Sequence, residues 1–391
     1  MITSSPTFCP APWTSLNIDQ TGRVSPCMHC FDEVDNIKKN TVQQIISGPA
    51  MQSIREHMAQ GKWHNACRAC KSSEEQSGSS GRTQRNMDDH TRQAIDNNIN
   101  WFELQHLVIN WSNLCNLSCT YCNPETSTAW QAVKKIPIAH VKNEHADLIE
   151  LAKVQGHKIR GLTLGGGEPL LQKGLVEFLK LLNPQQVRVL VTTNLSVDLN
   201  SNPVYQELKN WPMVDWQVSF DNCTQEKFEY VRDRASWNQL VSNIDQLKSE
   251  GQLVIAHPAY SLYCALDLVE YYEFCTEKEL NIYWCELRHP YDLDIRRYSS
   301  PVKKAAISQI DQVVERWGRN DVEQFSLAID TLKRYKINLI DPHYVDQNNS
   351  YFADPFKYHE KIEKELDKSV TFSQAWPELT ELLIDHHYAK R

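Results

Sequence analysis

Three cysteines in one short loop constrain this chain more than any other feature. Asn113-Leu-Cys115-Asn-Leu-Ser-Cys119-Thr-Tyr-Cys122 places thiols at offsets of four and three. The loop follows a run of β-forming residues at 104–110, so a strand delivers it. Three thiolates on a [4Fe–4S] cube leave one iron without a protein ligand, open to a substrate or cofactor. Zinc asks for four ligands, or three and a water. The histidines nearest in sequence are His106, on the preceding strand, and His140, in the next segment. Taken alone, the triplet reads as an iron–sulfur loop, a zinc site or three unrelated core cysteines.

The other cysteines add a second group. Of 12 in the chain, five lie near the N-terminus: Cys9, Cys27, Cys30, Cys67 and Cys70. Two Cys-x2-Cys pairs some forty residues apart read, in isolation, as a zinc ribbon with one thiol to spare. No basic segment leads into an apolar stretch at the N-terminus, and no apolar run reaches the roughly 18 residues of a membrane span. The expected compartment is the reducing cytoplasm, where cysteines more often bind metal than pair. A net charge of −8 argues against a partner held through nucleic-acid phosphates. With 41% hydrophobic residues, the chain has material for a real core.

Four regions follow from texture. Residues 1–70 are cysteine-rich, with a hairpin at 15–19 and 23–25 around Gln20-Thr21-Gly22 and helices over 40–60 interrupted at Gly48-Pro49. Residues 71–100 read as a polar connector. Over 101–287, strands expected at 104–110, 159–164, 187–192, 214–220, 253–256 and 281–285 alternate with helices expected at 145–154, 172–182, 203–210, 237–249 and 266–278. That alternation predicts an α/β fold with a parallel sheet, either open or a partial barrel. Residues 288–391 read as a charged helical extension with an irregular middle near 341–355.

Cys115-x3-Cys119-x2-Cys122, with Tyr121 before the last thiol, resembles the cluster loop of the radical SAM superfamily. The resemblance continues in order at Gly165-Gly166-Gly167-Glu168-Pro169, the family's glycine-rich motif after the second strand. It implies a partial (β/α)6 barrel and a [4Fe–4S] cluster that cleaves S-adenosylmethionine (SAM). It further implies SAM contacts from Tyr121, from the glycine motif and from Asn194, Ser219 and Asp221 at strand ends. Arg232 resembles the arginine that pairs with the SAM carboxylate, with Arg234 as the alternative; His257 and Tyr260 stand near the same pocket. The N-terminal region resembles a SPASM/twitch auxiliary domain, placed before the core rather than after it. That implies a second, auxiliary [4Fe–4S] cluster on Cys9, Cys27, Cys67 and Cys70, with Cys30 as a substitute ligand or bystander.

Such an enzyme takes electrons from an external one-electron reductant such as flavodoxin or ferredoxin. Its 5′-deoxyadenosyl radical acts on a peptide or small molecule, with family analogy leaning to a peptide. Nucleic acid and membrane are not expected partners. Cys223, and equally Cys264, stand near strand ends where a thiol could donate a hydrogen atom to a substrate radical. Cys275 and Cys285 read as small buried hydrophobes. The competing classes are a two-cluster electron carrier without SAM turnover and a zinc-stabilised binding module.

Overall fold

A computed structural model describes residues 1–30, 32–136, 145–318, 323–340 and 353–388. His140 and most of the stretch at 341–355 lie outside the described residues. From the N-terminus run α1 (Ala11–Thr14), β1 (Ser15–Ile18), β2 (Arg23–Ser25), β3 (Asp35–Asn36), α2 (Val42–Ser47), α3 (Pro49–Ala59), α4 (Arg68–Ser77), α5 (Asp89–Asn97) and β4 (His106–Asn110). The alternating middle holds α6 (Thr128–Val133), α7 (His145–Gln155), β5 (Gly161–Gly165), α8 (Leu175–Leu179), β6 (Arg188–Thr193), α9 (Pro203–Leu208) and β7 (Val214–Val218). It continues through α10 (Gln225–Val231), α11 (Trp237–Ser249), β8 (Leu253–Ala256), β9 (Ala259–Tyr260), α12 (Leu268–Glu277), β10 (Asn281–Ile282) and β11 (Cys285–Glu286). Helices α13 (Ser300–Trp317), α14 (Ser326–Ile340), α15 (Pro355–Leu366), α16 (Phe372–Ala375) and α17 (Pro377–Tyr388) form the helical C-terminal part.

Two compact units divide the chain. The first holds Met1–Leu114, Ala139–Thr192 and Asn200–Val214. Its strands run β6-β5-β4-β1-β2-β3, parallel from β6 through β1 and antiparallel over β1-β2-β3. The pairing of β1 with β4 sets Ser15 beside His106 and Asn17 beside Val108. The cysteine-rich N-terminus thus lengthens the core sheet rather than forming a sheet of its own.

The two faces of that sheet differ. Leu107, Ile109, Leu162, Leu164, Val189 and Val191 are at most 1% exposed and form the apolar face. On the other face His106, Val108, Asn110, Gly161, Thr163, Gly165, Arg188, Leu190 and Thr192 are half-buried or exposed. A parallel sheet covered on both sides reads as continuous apolar runs. Period-two alternation here leaves a largely polar second face.

The second unit holds Cys115–Ile138, Thr193–Leu199 and Asp215–Arg391. Its parallel strands run β10-β8-β7, and β9 pairs with β11. The strand expected at 281–285 is split in two, because Pro258 interrupts the neighbouring chain between β8 and β9 and carries no N–H for a ladder. The connector expected at 71–100 contains most of α4 and all of α5. Asp88 caps α5, and only Thr91 and Ile95, one turn apart, are buried, so its sequence stays polar. Among the described residues, no helix is long and apolar enough to cross a membrane.

Candidate metal centres

Cys115, Cys119 and Cys122 sit on the loop that follows β4. Its backbone is pinned at several points. Thr128 Oγ1 accepts from the Cys115 N–H at 3.2 Å and donates to the Cys115 carbonyl at 3.0 Å. Trp130 Nε1 donates to the Cys119 carbonyl at 2.9 Å, and the Cys122 N–H closes a turn on the same oxygen. The Ser118 and Thr120 N–H groups donate to the carbonyls of Asp233 and Val231. From the C-terminal part, Tyr358 donates its phenol to the Thr120 carbonyl at 2.6 Å.

The thiols themselves have light contacts. Asn194 Nδ2 lies 3.8 Å from Cys115 Sγ, and Thr126 Oγ1 lies 3.0 Å from Cys122 Sγ. Cys119 is 8% exposed. Burial pushes its thiol well up, with Arg232 opposing. A buried neutral thiol releases its proton when a metal takes the sulfur. Three thiols on a pinned loop fit a cluster that keeps one open iron.

Behind the loop lies an ionic knot. Asp221, 1% exposed, accepts from Tyr121 OH at 2.9 Å and from Arg232 Nε and Nη2 at 3.0 and 2.9 Å. Its second oxygen accepts from the Ala259 N–H at 2.9 Å. Arg232, read from sequence as a carboxylate partner for SAM, is here committed to Asp221. Arg234 is half-exposed and 3.7 Å from Asp233. Asn194 holds Asn116 and Ser196, and the Ser219 N–H donates to the Thr193 carbonyl.

The glycine motif ends β5. Gly166 has φ +109°, which side-chain-bearing residues rarely adopt, and a Cβ on it would stand 2.7 Å from the Ser112 carbonyl. Gly167 and Glu168 donate their N–H groups to the carbonyls of Ser112 and Leu114, at 2.9 and 2.8 Å. Leu114 immediately precedes Cys115. Glu168 is fully buried and its Oε1 accepts from the Leu170 N–H. Pro169 follows as the first residue of a 3-10 turn. The glycines therefore let the chain lie flat against the start of the cysteine loop.

The remaining cysteines separate. Cys223 lies near Asp267, Glu270 and Cys275, and burial pushes its thiol up. Cys264 is buried and donates to the Ala259 carbonyl. Cys275 is buried as expected. Cys285 is exposed, contrary to the packing role read from sequence, because alternation on this short segment turns Trp284 inward instead. His257 Nδ1 lies 2.8 Å from the Tyr283 carbonyl, and Tyr260 stacks on Tyr335 at 4.9 Å.

The five N-terminal cysteines line one cavity, with His29, Met58 and Arg82. Cys9 and Cys30 are 7% and 6% exposed. Cys67 caps α4 and Cys70 lies one turn on, so both thiols stand at the start of that helix. Burial pushes Cys9 and Cys30 up to about 11, and burial with four neighbouring thiols pushes Cys67 up to about 12. Among the described residues, no three Cys, His, Asp or Glu are gathered closely enough to chelate a single ion. Five soft donors around one cavity fit a multi-iron cluster.

Comparison with known proteins agrees with this donor chemistry. An iron–sulfur cluster-binding domain of the SPASM type matches residues 9–71, and the radical SAM superfamily matches residues 109–259. The chain thus carries a SPASM domain that precedes a radical SAM domain. Its cofactors are accordingly a [4Fe–4S] cluster with SAM, and auxiliary iron–sulfur in the SPASM domain.

Among curated relatives, 7-carboxy-7-deazaguanine synthase of Clostridium acetobutylicum is 28% identical over 176 residues, covering 43% of this chain and 67% of that protein. GTP 3′,8-cyclase of Peptoclostridium acidaminophilum is 28% identical over 38% of this chain, a match that spans 44% of the cyclase. Among solved structures, Streptococcus suis SuiB bound to precursor peptide SuiA aligns with TM-score 0.44 at 13% identity, covering 71% of this chain and 63% of that one.

Sequence reasoning did not anticipate the side chains that support the cysteine loop. Thr128, Trp130 and Tyr358 act through hydrogen bonds to backbone groups of the loop. Nothing in their local sequence marks that role.

Proposed function

We propose that Cys115, Cys119 and Cys122 hold the [4Fe–4S] cluster of this enzyme, and that four of the five N-terminal thiols hold an auxiliary [4Fe–4S] cluster. When bound, the first cluster and SAM supply reductive cleavage to methionine and a 5′-deoxyadenosyl radical, which removes hydrogen from a peptide or small-molecule substrate. The observation that carries this reading is the pinned three-thiol loop within the radical SAM match. Tyr121 and Asp221 fix the loop's last turn through the Arg232 pair. Gly166 and Gly167 keep a side-chain-free surface against Ser112 and Leu114. Asn194 directs an amide N–H at Cys115 Sγ; hydrogen bonds to cluster sulfurs are one lever on reduction potential.

The test is anaerobic reconstitution followed by iron and sulfide counts, then dithionite, SAM and a search for 5′-deoxyadenosine. The expected result is about eight irons per chain, two four-iron clusters, with 5′-deoxyadenosine lost in Cys115→Ala. A Cys67→Ala/Cys70→Ala variant should keep about four. Iron without SAM cleavage under several reductants overturns the reading in favour of electron transfer.

A further inference from the structure

The first row of the polar sheet face opens onto a second cavity. Arg85, His106, Gln84 and Asn86 line it, together with Pro10, the residue after Cys9. None of the residues lining it is acidic. Arg85 is half-buried and gives one N–H to Ser15 Oγ at 3.2 Å; among the described residues no carboxylate pairs with it. The His106 ring has no hydrogen-bond partner among the described residues. Its ring lies over Gly161, its register partner on β5, where a Cβ would stand 2.6 Å from Nδ1. Burial and the nearby Arg85 lower the His106 pKa, so the ring is neutral at pH 7. The cavity therefore offers a guanidinium fork, an imidazole and the amides of Gln84, Asn86 and Gln105, with one permanent charge, and that charge is positive. A planar fork with open N–H groups is matched to an oxyanion.

We propose that this cavity is an anion site that anchors a carboxylate or phosphate group of the substrate. The substrate part of the inference rests on the function proposed above. Its position defines a ruler. Ser15, His106, Gly161 and Arg188 stand side by side in register, and Asn110 and Gly165 stand side by side at the other end. Four residues of β4, about 13 Å of strand, separate the two rows. From the His106 row the polar face runs past Asn17, Val108 and Thr163 towards the glycine motif. The anionic end of a ligand anchored at Arg85 sits against the wall that carries Cys9.

Reconstituted holoprotein at low ionic strength would be titrated by calorimetry with inorganic phosphate and, separately, with acetate. The expected result is one saturable site, weakened at least tenfold in Arg85→Gln, less in Arg85→Lys, and also weakened in His106→Gln. Tighter phosphate binding assigns a phosphorylated ligand, and tighter acetate binding a carboxylate. Absence of saturable binding for both anions, or equal affinity in wild type and Arg85→Gln, overturns the proposal. Iron content and near-ultraviolet dichroism check each variant; should Arg85→Gln lose its fold, Arg85→Lys and His106→Gln carry the comparison. 5′-Deoxyadenosine from wild type is scored separately. Its formation without anion binding sinks only the anchor, and anion binding without it sinks the SAM reading while keeping the anion site.

Discussion

Asp221 is the residue on which most of the cysteine loop's surroundings converge. One carboxylate engages the Tyr121 phenol, the Arg232 fork and the Ala259 N–H. Both charges are buried, so removing one strands the other. Asp221→Asn is expected to cost about 3–5 kcal/mol, read as a lowered unfolding midpoint with faster cluster loss. His359 offers a pH test. It is 2% exposed, stacked on Phe372 at 3.8 Å and bonded to Tyr230, and burial lowers its pKa to about 3. The unfolded imidazole takes a proton near pH 6.5 and the folded one does not until about pH 3, so stability is lost as pH falls between those values. Between pH 7 and 5 the loss is about 2 kcal/mol. Denaturant midpoints should show that slope in wild type and not in His359→Phe. The thiols were legible because their spacing is local. The destiny of Arg232 was not: a sequence shows a cation near a strand end, but not which carboxylate folds against it.

At the scale of elements, the C-terminal helices act as a brace. Tyr358 on α15 holds the Thr120 carbonyl, and Lys368 just beyond it pairs with Asp233 at 2.8 Å. Asp233 in turn accepts from Ser118 Oγ at 2.6 Å. Tyr358→Phe should cost about 1 kcal/mol and quicken iron release to a chelator; unchanged release kinetics would disprove the brace. Local signals found β8 and α11 at their observed bounds, since period and caps agree there: Ser236 caps α11 and accepts from Gln239 N–H. They failed at α5, whose buried stripe is two residues, and at β10–β11, where the interruption lies in a neighbouring strand rather than in the segment itself.

For the whole molecule, the decisive pairing is β1 with β4. Alternation gave the strands, but no local pattern says that a hairpin from the cysteine-rich segment closes the edge of the core sheet. With β1 removed, β4 presents unpaired backbone groups beside an apolar face, a template for aggregation. A chain beginning at residue 101 should therefore be insoluble or molten, judged by light scattering and near-ultraviolet dichroism. A soluble, cooperatively folded product would show that the radical SAM region is self-sufficient.

The same pairing orders events during synthesis. The segment bearing Cys9, Cys27 and Cys30 is made first, yet the strand that completes its sheet arrives some 90 residues later. At ribosomal rates of about 5–20 residues per second, that is a delay of roughly 5–20 seconds. During this interval the nascent chain carries soft, unshielded thiols on an unfinished edge. The waiting period makes early iron capture and oxidation rivals for the same sulfurs, and the ribosome's pace sets how long that contest lasts.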